Sequence, residues 1–130
     1  MPNFITDIAA VELAHAIALE HWGGRTGMRD EAAIETALHR AINKASYGGG
    51  DVDLFDLAAA YAFGLAAAPG YVDGNKRTAW MVCVAFLDLN GYAVTGPAIE
   101  KFQAVTALVQ HGLSEGDFAK LLRGWASPLP

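Results

Sequence analysis

This sequence predicts an all-α fold, a bundle of about six helices in a single domain over residues 1–130. Three observations predict it. Apolar residues recur at helical spacing in nearly every segment. Capping residues and Gly or Pro stops divide the chain at intervals that suit helices. Two segments, about Leu54 to Ala67 and Arg77 to Leu89, are apolar most of the way round, the mark of a central, buried pair.

The first helix is expected from Asp7 to Trp22 with Thr6 as its N-cap, because Ile8, Val11, His15, Leu19 and Trp22 share one face before Gly23-Gly24 stops it. His15 falls on the buried stripe and reads as a hydrogen-bonded core histidine. The second helix begins near Asp30, whose side chain can cap Ala32 or Ala33, and carries Ile34, Leu38 and Ala41 inward as far as Asn43-Lys44. Arg29 stands at its mouth, free either to brace the neighbouring loop or to reach a ligand. Ala45 to Asp51 is too glycine-rich for a regular element and is expected to connect two helices. The third helix, about Leu54 to Ala67, is capped by Asp53 with Asp56 at the third position. The fourth, Arg77 to Leu89, ends at Asn90-Gly91. Tyr92 to Gly96 reads as a short extended connection. Pro97 then opens a helix carrying Ile99, Phe102, Val105 and Leu108, and Ser114 caps a last one bearing Phe118, Leu121, Leu122 and Trp125 before Pro128. No sheet is expected.

A chain of 130 residues, 53% of them hydrophobic, is long enough to bury a substantial core. Nine Lys and Arg against fourteen Asp and Glu leave a net charge of −5, which argues against a nucleic-acid surface. The single cysteine, Cys83, lies on an apolar helix face, so disulfides and cysteine-based zinc sites are excluded and core packing is its expected role. The four histidines have no i, i+4 ligand pairing. With no charged-then-apolar leader and no apolar run of membrane length, no membrane contact is expected and a reducing cytoplasm is the expected setting.

One stretch concentrates chemistry: Pro69-Gly-Tyr-Val-Asp-Gly-Asn-Lys-Arg-Thr-Ala-Trp80. It places a carboxylate, a glycine turn, an amide and two cations immediately before a helix, whose free N–H groups and dipole favour an anion. Gly74 permits a positive φ and close approach of a phosphate. Asn75, Lys76 and Arg77 can donate hydrogen bonds to phosphate oxygens, and Asp73 suits a Mg²⁺ that would neutralise them. The same residues also describe an ordinary inter-helix turn with a solvated flank.

Pro69 to Ala79 resembles the signature of the Fic/Doc family, His-x-Phe-x-Asp-Gly/Ala-Asn-x-Arg, and Lys76 matches its Doc branch. Gly27-Met-Arg-Asp-Glu31 followed by Glu35-Thr-Ala-Leu38, the helix Asp53 to Gly64, and Phe86-Leu-Asp-Leu-Asn-Gly91 resemble further segments of that branch in the same order. The resemblance thus covers roughly residues 7 to 125. It implies a toxin of a toxin–antitoxin system that uses ATP and Mg²⁺ to phosphorylate a protein hydroxyl, such as one on elongation factor Tu. The catalytic and nucleotide-binding positions carried over are Pro69, Asp73, Gly74, Asn75, Lys76 and Arg77, with Asp73 on the metal. The connection Ala45 to Asp51 corresponds to the family's target-docking flap.

There is one departure from the family pattern. Pro69 stands where the family has the histidine that accepts the proton of the attacking hydroxyl, and proline has no titratable group. Activity is therefore expected to be impaired. Two alternatives follow: a catalytically dead nucleotide- or antitoxin-binding module, and an AMP-transferring Fic enzyme. AMP-transferring members resemble Gly-Asn-Gly-Arg-x-x-Arg, but Lys76 and Trp80 hold the corresponding positions here, which favours phosphoryl transfer. The Ser/Thr-x-x-x-Glu-Gly/Asn helix of self-inhibited members is not found in the sequence. Inhibition is expected in trans, by an antitoxin tail that folds as a helix against walls around Trp22, Phe102 and Trp125.

Overall fold

The computed structural model describes residues 2–130. Six helices follow one another: α1 (Ile8–Trp22), α2 (Glu31–Tyr47), α3 (Leu54–Ala67), α4 (Asn75–Leu89), α5 (Ala98–Val109) and α6 (Glu115–Trp125). The all-α expectation holds, with one addition. A short antiparallel ribbon pairs β1 (Tyr92–Val94) with β2 (Ala126–Pro128), in the register Tyr92 to Pro128 and Val94 to Ala126. Tyr92 and Val94 suit a strand, and Pro128, lacking an N–H, sits at the end of an edge where none is needed.

Local sequence sets most boundaries. Asp53 accepts from the N–H groups of Phe55 and Asp56 while Asp56 accepts from that of Asp53, a closed capping box at the start of α3. Asp30 accepts from the Ala33 N–H, and Ser114 from the Asp117 N–H. At α1 the cap is Asp7, bonded to the Ala9 N–H at 2.9 Å, and not Thr6, so the helix starts at Ile8. Helix α2 runs on past Lys44 to Tyr47, because the glycines that end it begin only at Gly48.

Helix α3 is the centre of the bundle. Leu57 to Ala62 are buried on all faces, as are Gly64 to Ala66, and the helix packs against α2, α4, α5 and α6. Alanines let those neighbours approach closely. Around α3 the core gathers Val11 of α1, Ile34 and Leu38 of α2, Val82, Cys83, Phe86 and Leu87 of α4, Val105 and Leu108 of α5, and Phe118 and Leu122 of α6. Cys83 is fully buried, as expected of a packing residue, and burial pushes its thiol pKa up. Charge stitches the outside. Arg123 of α6 bonds both Asp53 and Asp56 at the start of α3, and Glu115 of α6 bridges Arg40 and Lys44 of α2. The N-terminal segment is tied to this frame by the buried Tyr61 hydroxyl, which accepts from the Ile5 N–H and donates to the Ile5 carbonyl. Among the described residues no helix is long and apolar enough to cross a membrane.

The consequence for the site is positional. Helices α3 and α4 are the buried pair, and the loop joining them, Ala68 to Gly74, is presented at one end of the bundle by two elements that cannot shift without repacking the core.

Candidate functional site

The loop is held in shape by its own residues. Asn75 is the first residue of α4, and its side chain reaches back four residues. Its Oδ1 accepts from the Tyr71 N–H at 3.1 Å and its Nδ2 donates to the Tyr71 carbonyl at 2.9 Å. Helix α4 therefore starts two residues earlier than Arg77, and the Asn75 amide closes the turn with one N–H left over for a ligand. Gly74 takes φ 77°, and a Cβ there would lie 3.3 Å from Leu19 of α1, so the left-handed turn and the close approach both select glycine. Thr78, buried, donates its hydroxyl to the Gly74 carbonyl at 2.7 Å. No side chain caps the first turn of α4, which leaves its leading N–H groups available to an anion.

The connection between α1 and α2 braces the loop from outside. The Gly70 carbonyl accepts from the N–H groups of Arg29 and Asp30, and the Val72 N–H donates to the Gly27 carbonyl. Arg29 thus braces the loop through its backbone. Asp73 is exposed. Its carboxylate accepts from the Arg25 N–H at 3.1 Å and the Gly74 N–H at 2.9 Å, and these bonds hold its pKa below the usual carboxylate value. Gly24, at φ 127°, lets that connection come so near; a Cβ on it would stand 3.0 Å from Asp73 Oδ2 and 2.9 Å from Leu19.

Beneath the loop, His15 has the structural partner expected of a core histidine. Its Nε2–H donates to the Asp73 carbonyl at 2.8 Å, and its ring stacks on Tyr71 with centroids 3.7 Å apart and planes 7° from parallel. Tyr71 is buried, and its hydroxyl has no hydrogen-bond partner among the described residues. Burial first, and then the carboxylates of Glu12 and Glu31, push its pKa up to about 12.

All six residues singled out from the sequence, Pro69, Asp73, Gly74, Asn75, Lys76 and Arg77, line one cavity of about 460 Å³, together with Trp22, Gly24, Ala66 and Phe102. Its charged groups are Asp73, Lys76 and Arg77, and neither cation forms an ion pair among the described residues. The Arg77 guanidinium lies over the ring of Trp22 and over the ring of Phe102, 4.5 Å from each centroid. Pro69 is exposed at the rim, just after Ala68, whose backbone (φ −118°, ψ 79°) has left the helical region, as a following proline favours.

A larger cavity, about 830 Å³, lies between α2 and α3 and is lined by Arg40, Lys44, Tyr47, Phe63 and Glu115. Size does not make it the chemical centre. Its cations are engaged by Glu115, and Arg40 also lies over Phe63, so it offers no unpaired charge to an anion.

Of the walls expected around Trp22, Phe102 and Trp125, the first two line this cavity and the third does not. Trp22 and Phe102 meet on Arg77, whereas Trp125 packs edge-on against Trp80, which in turn meets Phe118. Sequence reasoning missed this use of Trp22 and Phe102. A tryptophan ending a helix just before two glycines was the available signal for the first; Phe102 had none.

A Mg²⁺ ion fits the donors present in a limited way. No group of three or more His, Cys, Asp or Glu converges among the described residues, so a protein cage is not on offer. Mg²⁺ accompanying phosphates is commonly held by one or two carboxylates with waters and the phosphates themselves, and Asp73, ionised and exposed in the cavity, suits that arrangement.

Comparison with known proteins places this geometry. A family model described as the Fic/DOC family matches residues 5–87, from the segment before α1 into α4 and including the whole loop. The chain is also similar to Toxin Doc of Mycolicibacterium smegmatis, 40% identical over 72 residues, an alignment that covers 54% of this chain and 54% of that protein. The chain therefore spans about half the length of the curated relative it matches. With most of the chain matched, the loop included, the protein belongs to the Fic/DOC family, in its Doc branch.

Proposed function

We propose that this chain, as a single Fic/Doc domain over residues 1–130, is the toxin of a toxin–antitoxin pair. Its reaction class is ATP- and Mg²⁺-dependent phosphoryl transfer to a protein hydroxyl, with elongation factor Tu a candidate target, and the chemistry is impaired by Pro69. The observation that carries the reading is the convergence of Asp73, Lys76, Arg77 and the uncapped start of α4 on one cavity. Phosphoryl transfer rests mainly on positioning and charge neutralisation, which such a cradle supplies.

In this reading the N–H groups of the first turn of α4, Lys76 and Arg77 hold the phosphates, and Asn75 keeps the turn in register by its bonds to Tyr71. Asp73 would hold Mg²⁺, which supplies neutralisation of phosphate charge when bound. No residue of the cavity lining replaces the missing imidazole. His15 is bonded to the loop backbone, and His21, His39 and His111 lie outside the lining. That favours a second reading, a nucleotide- or antitoxin-binding module without turnover. AMP transfer is disfavoured because the position of the second motif arginine is Trp80, packed against Phe118 and Trp125.

The partner is an antitoxin acting in trans, in the cytoplasm. A folded helical tail suits the apolar groove between α1 and α4, lined by Ile17, Trp22, Trp80, Met81 and Val84.

Two measurements test the proposal. Calorimetry is expected to show Mg²⁺-dependent ATP binding, and its absence would overturn the nucleotide cradle. Pro69→His is then expected to raise transfer of label from γ-labelled ATP by at least about 10²-fold, the lower end of general-base catalysis. It should also make expression toxic unless the antitoxin is present, and a further Asp73→Ala change should abolish both effects. Label arriving only from the α position would reverse the reaction type. A folded, ATP-binding His variant that neither transfers nor harms its host would leave the binding module as the answer.

A further inference from the structure

We propose that Trp22 and Phe102 are positioning residues for Arg77, an aromatic clamp that fixes its guanidinium at the mouth of the cavity. The proposal deepens the nucleotide-cradle reading and rests on it for the ligand. The observations are geometric. The guanidinium carbon lies 4.5 Å from the centroid of each ring, over the ring faces. The two rings come from different helices, the last residue of α1 and the first half of α5, and both line the cavity beside Lys76 and Asp73. Trp22 is 54% exposed, so burial in the core does not account for where its ring sits.

The chemistry favours arginine in such a clamp. Aromatic faces attract the guanidinium through its planar face and leave the N–H edge, the part that forks onto phosphate oxygens, unobstructed. An unrestrained arginine loses much rotamer freedom on binding a ligand; one already held loses less, and the affinity rises accordingly. Arg77 has no carboxylate partner among the described residues, so the rings hold it without competing for the donors a phosphate needs. Lys76, one residue earlier, has no aromatic neighbour of this kind among the described residues. The two cations are thus unequal: the rings flank Arg77 and not Lys76. Trp22 lies inside the stretch matched by the family model and Phe102 beyond it, so the clamp joins the matched part of the chain to α5.

The test has two arms. In nucleotide-free protein, the Arg77 Hδ and Hε resonances should be shifted upfield by ring currents and move back toward ordinary values in Trp22→Leu and Phe102→Leu. Unshifted resonances in the wild-type protein would overturn the clamp. For function, MgATP affinity is measured around a double-mutant cycle. Each ring-to-leucine change should weaken binding about 2- to 5-fold, the range expected of one exposed cation–π contact, and have no further effect in an Arg77→Ala background. Trp22→Phe and Phe102→Tyr, which keep a ring face, should restore most of the affinity. Equal weakening in both backgrounds would mean that the rings act only by shaping the cavity, and would overturn the proposal. Ring-shifted arginine resonances in a protein that binds no MgATP would support the clamp and overturn the nucleotide reading alone.

Discussion

Replacing Asn75 with alanine removes two hydrogen bonds that close the loop on itself, from the Tyr71 N–H at 3.1 Å and to the Tyr71 carbonyl at 2.9 Å. Both are partly shielded from solvent, and each should contribute about 1 kcal/mol net. Alanine's better helix propensity returns at most about 0.5 kcal/mol at the first position of α4. The expected loss is therefore about 1.5 kcal/mol, read as a lower urea midpoint at unchanged slope. Asn75→Asp keeps an acceptor for the Tyr71 N–H but turns an oxygen toward the Tyr71 carbonyl, while its charge gains about 0.5 kcal/mol from the helix dipole. It should fall between wild type and Asn75→Ala. A loss below about 0.5 kcal/mol for the alanine variant would refute the assignment of Asn75 as the clasp of this turn.

Three further outcomes follow from the same region and from α6. Tyr71→Phe removes a buried hydroxyl that has no partner among the described residues, so it should leave stability unchanged or raise it by up to about 1 kcal/mol; a clear loss in thermal unfolding would mean the hydroxyl is bonded. Gly74→Ala forces a Cβ into a left-handed turn at φ 77° and against Leu19, and should cost about 1 to 2 kcal/mol by urea titration; a neutral result would contradict that turn. Burial opposes ionisation of Glu115, but hydrogen bonds from Lys44 and Arg40 outweigh it and hold its pKa below the ordinary 4.5. A depressed folded pKa means stabilisation present above the unfolded value and lost as pH falls through the folded one. Wild-type stability should accordingly drop below about pH 4 more steeply than that of Glu115→Gln, and parallel profiles would contradict the bridge.

What could be read from sequence was what depends on near neighbours. The capping box at Asp53 and Asp56, the caps at Asp30 and Ser114, and the apolar pair α3 and α4 are set by residues within one or two turns of each other. The cavity lining was legible for a related reason: Asp73 to Arg77 are contiguous, so a fold that presents one of them at a helix start brings the others with it. Contacts between distant segments were not legible. That His15 would stack under Tyr71, that Trp22 and Phe102 would meet on Arg77, and that Ala126 to Pro128 would pair with Tyr92 to Val94 depend on how helices dock, and no local pattern encodes that. Thr6 and Asp7 are both competent caps by residue type, and Asp7 is the one whose side chain accepts from the Ala9 N–H.

The turn that ends α4 gathers both extremities of the described chain. The Asn90 side chain bonds the backbone of Asn3, and the Gly91 carbonyl accepts from the Leu129 N–H. Helix α4 is 15 residues long, so this turn stands roughly 20 Å from the cavity end at Gly74. A fluorophore, affinity tag or surface tether attached beside Asn3 or Leu129 therefore leaves from the end of α4 opposite the cavity and does not obstruct its mouth. Joining residues 3 and 129 by a short linker and opening the chain at Gly49, whose φ of 82° lies in an exposed connection, would give a circular permutant with the α3–α4 loop untouched.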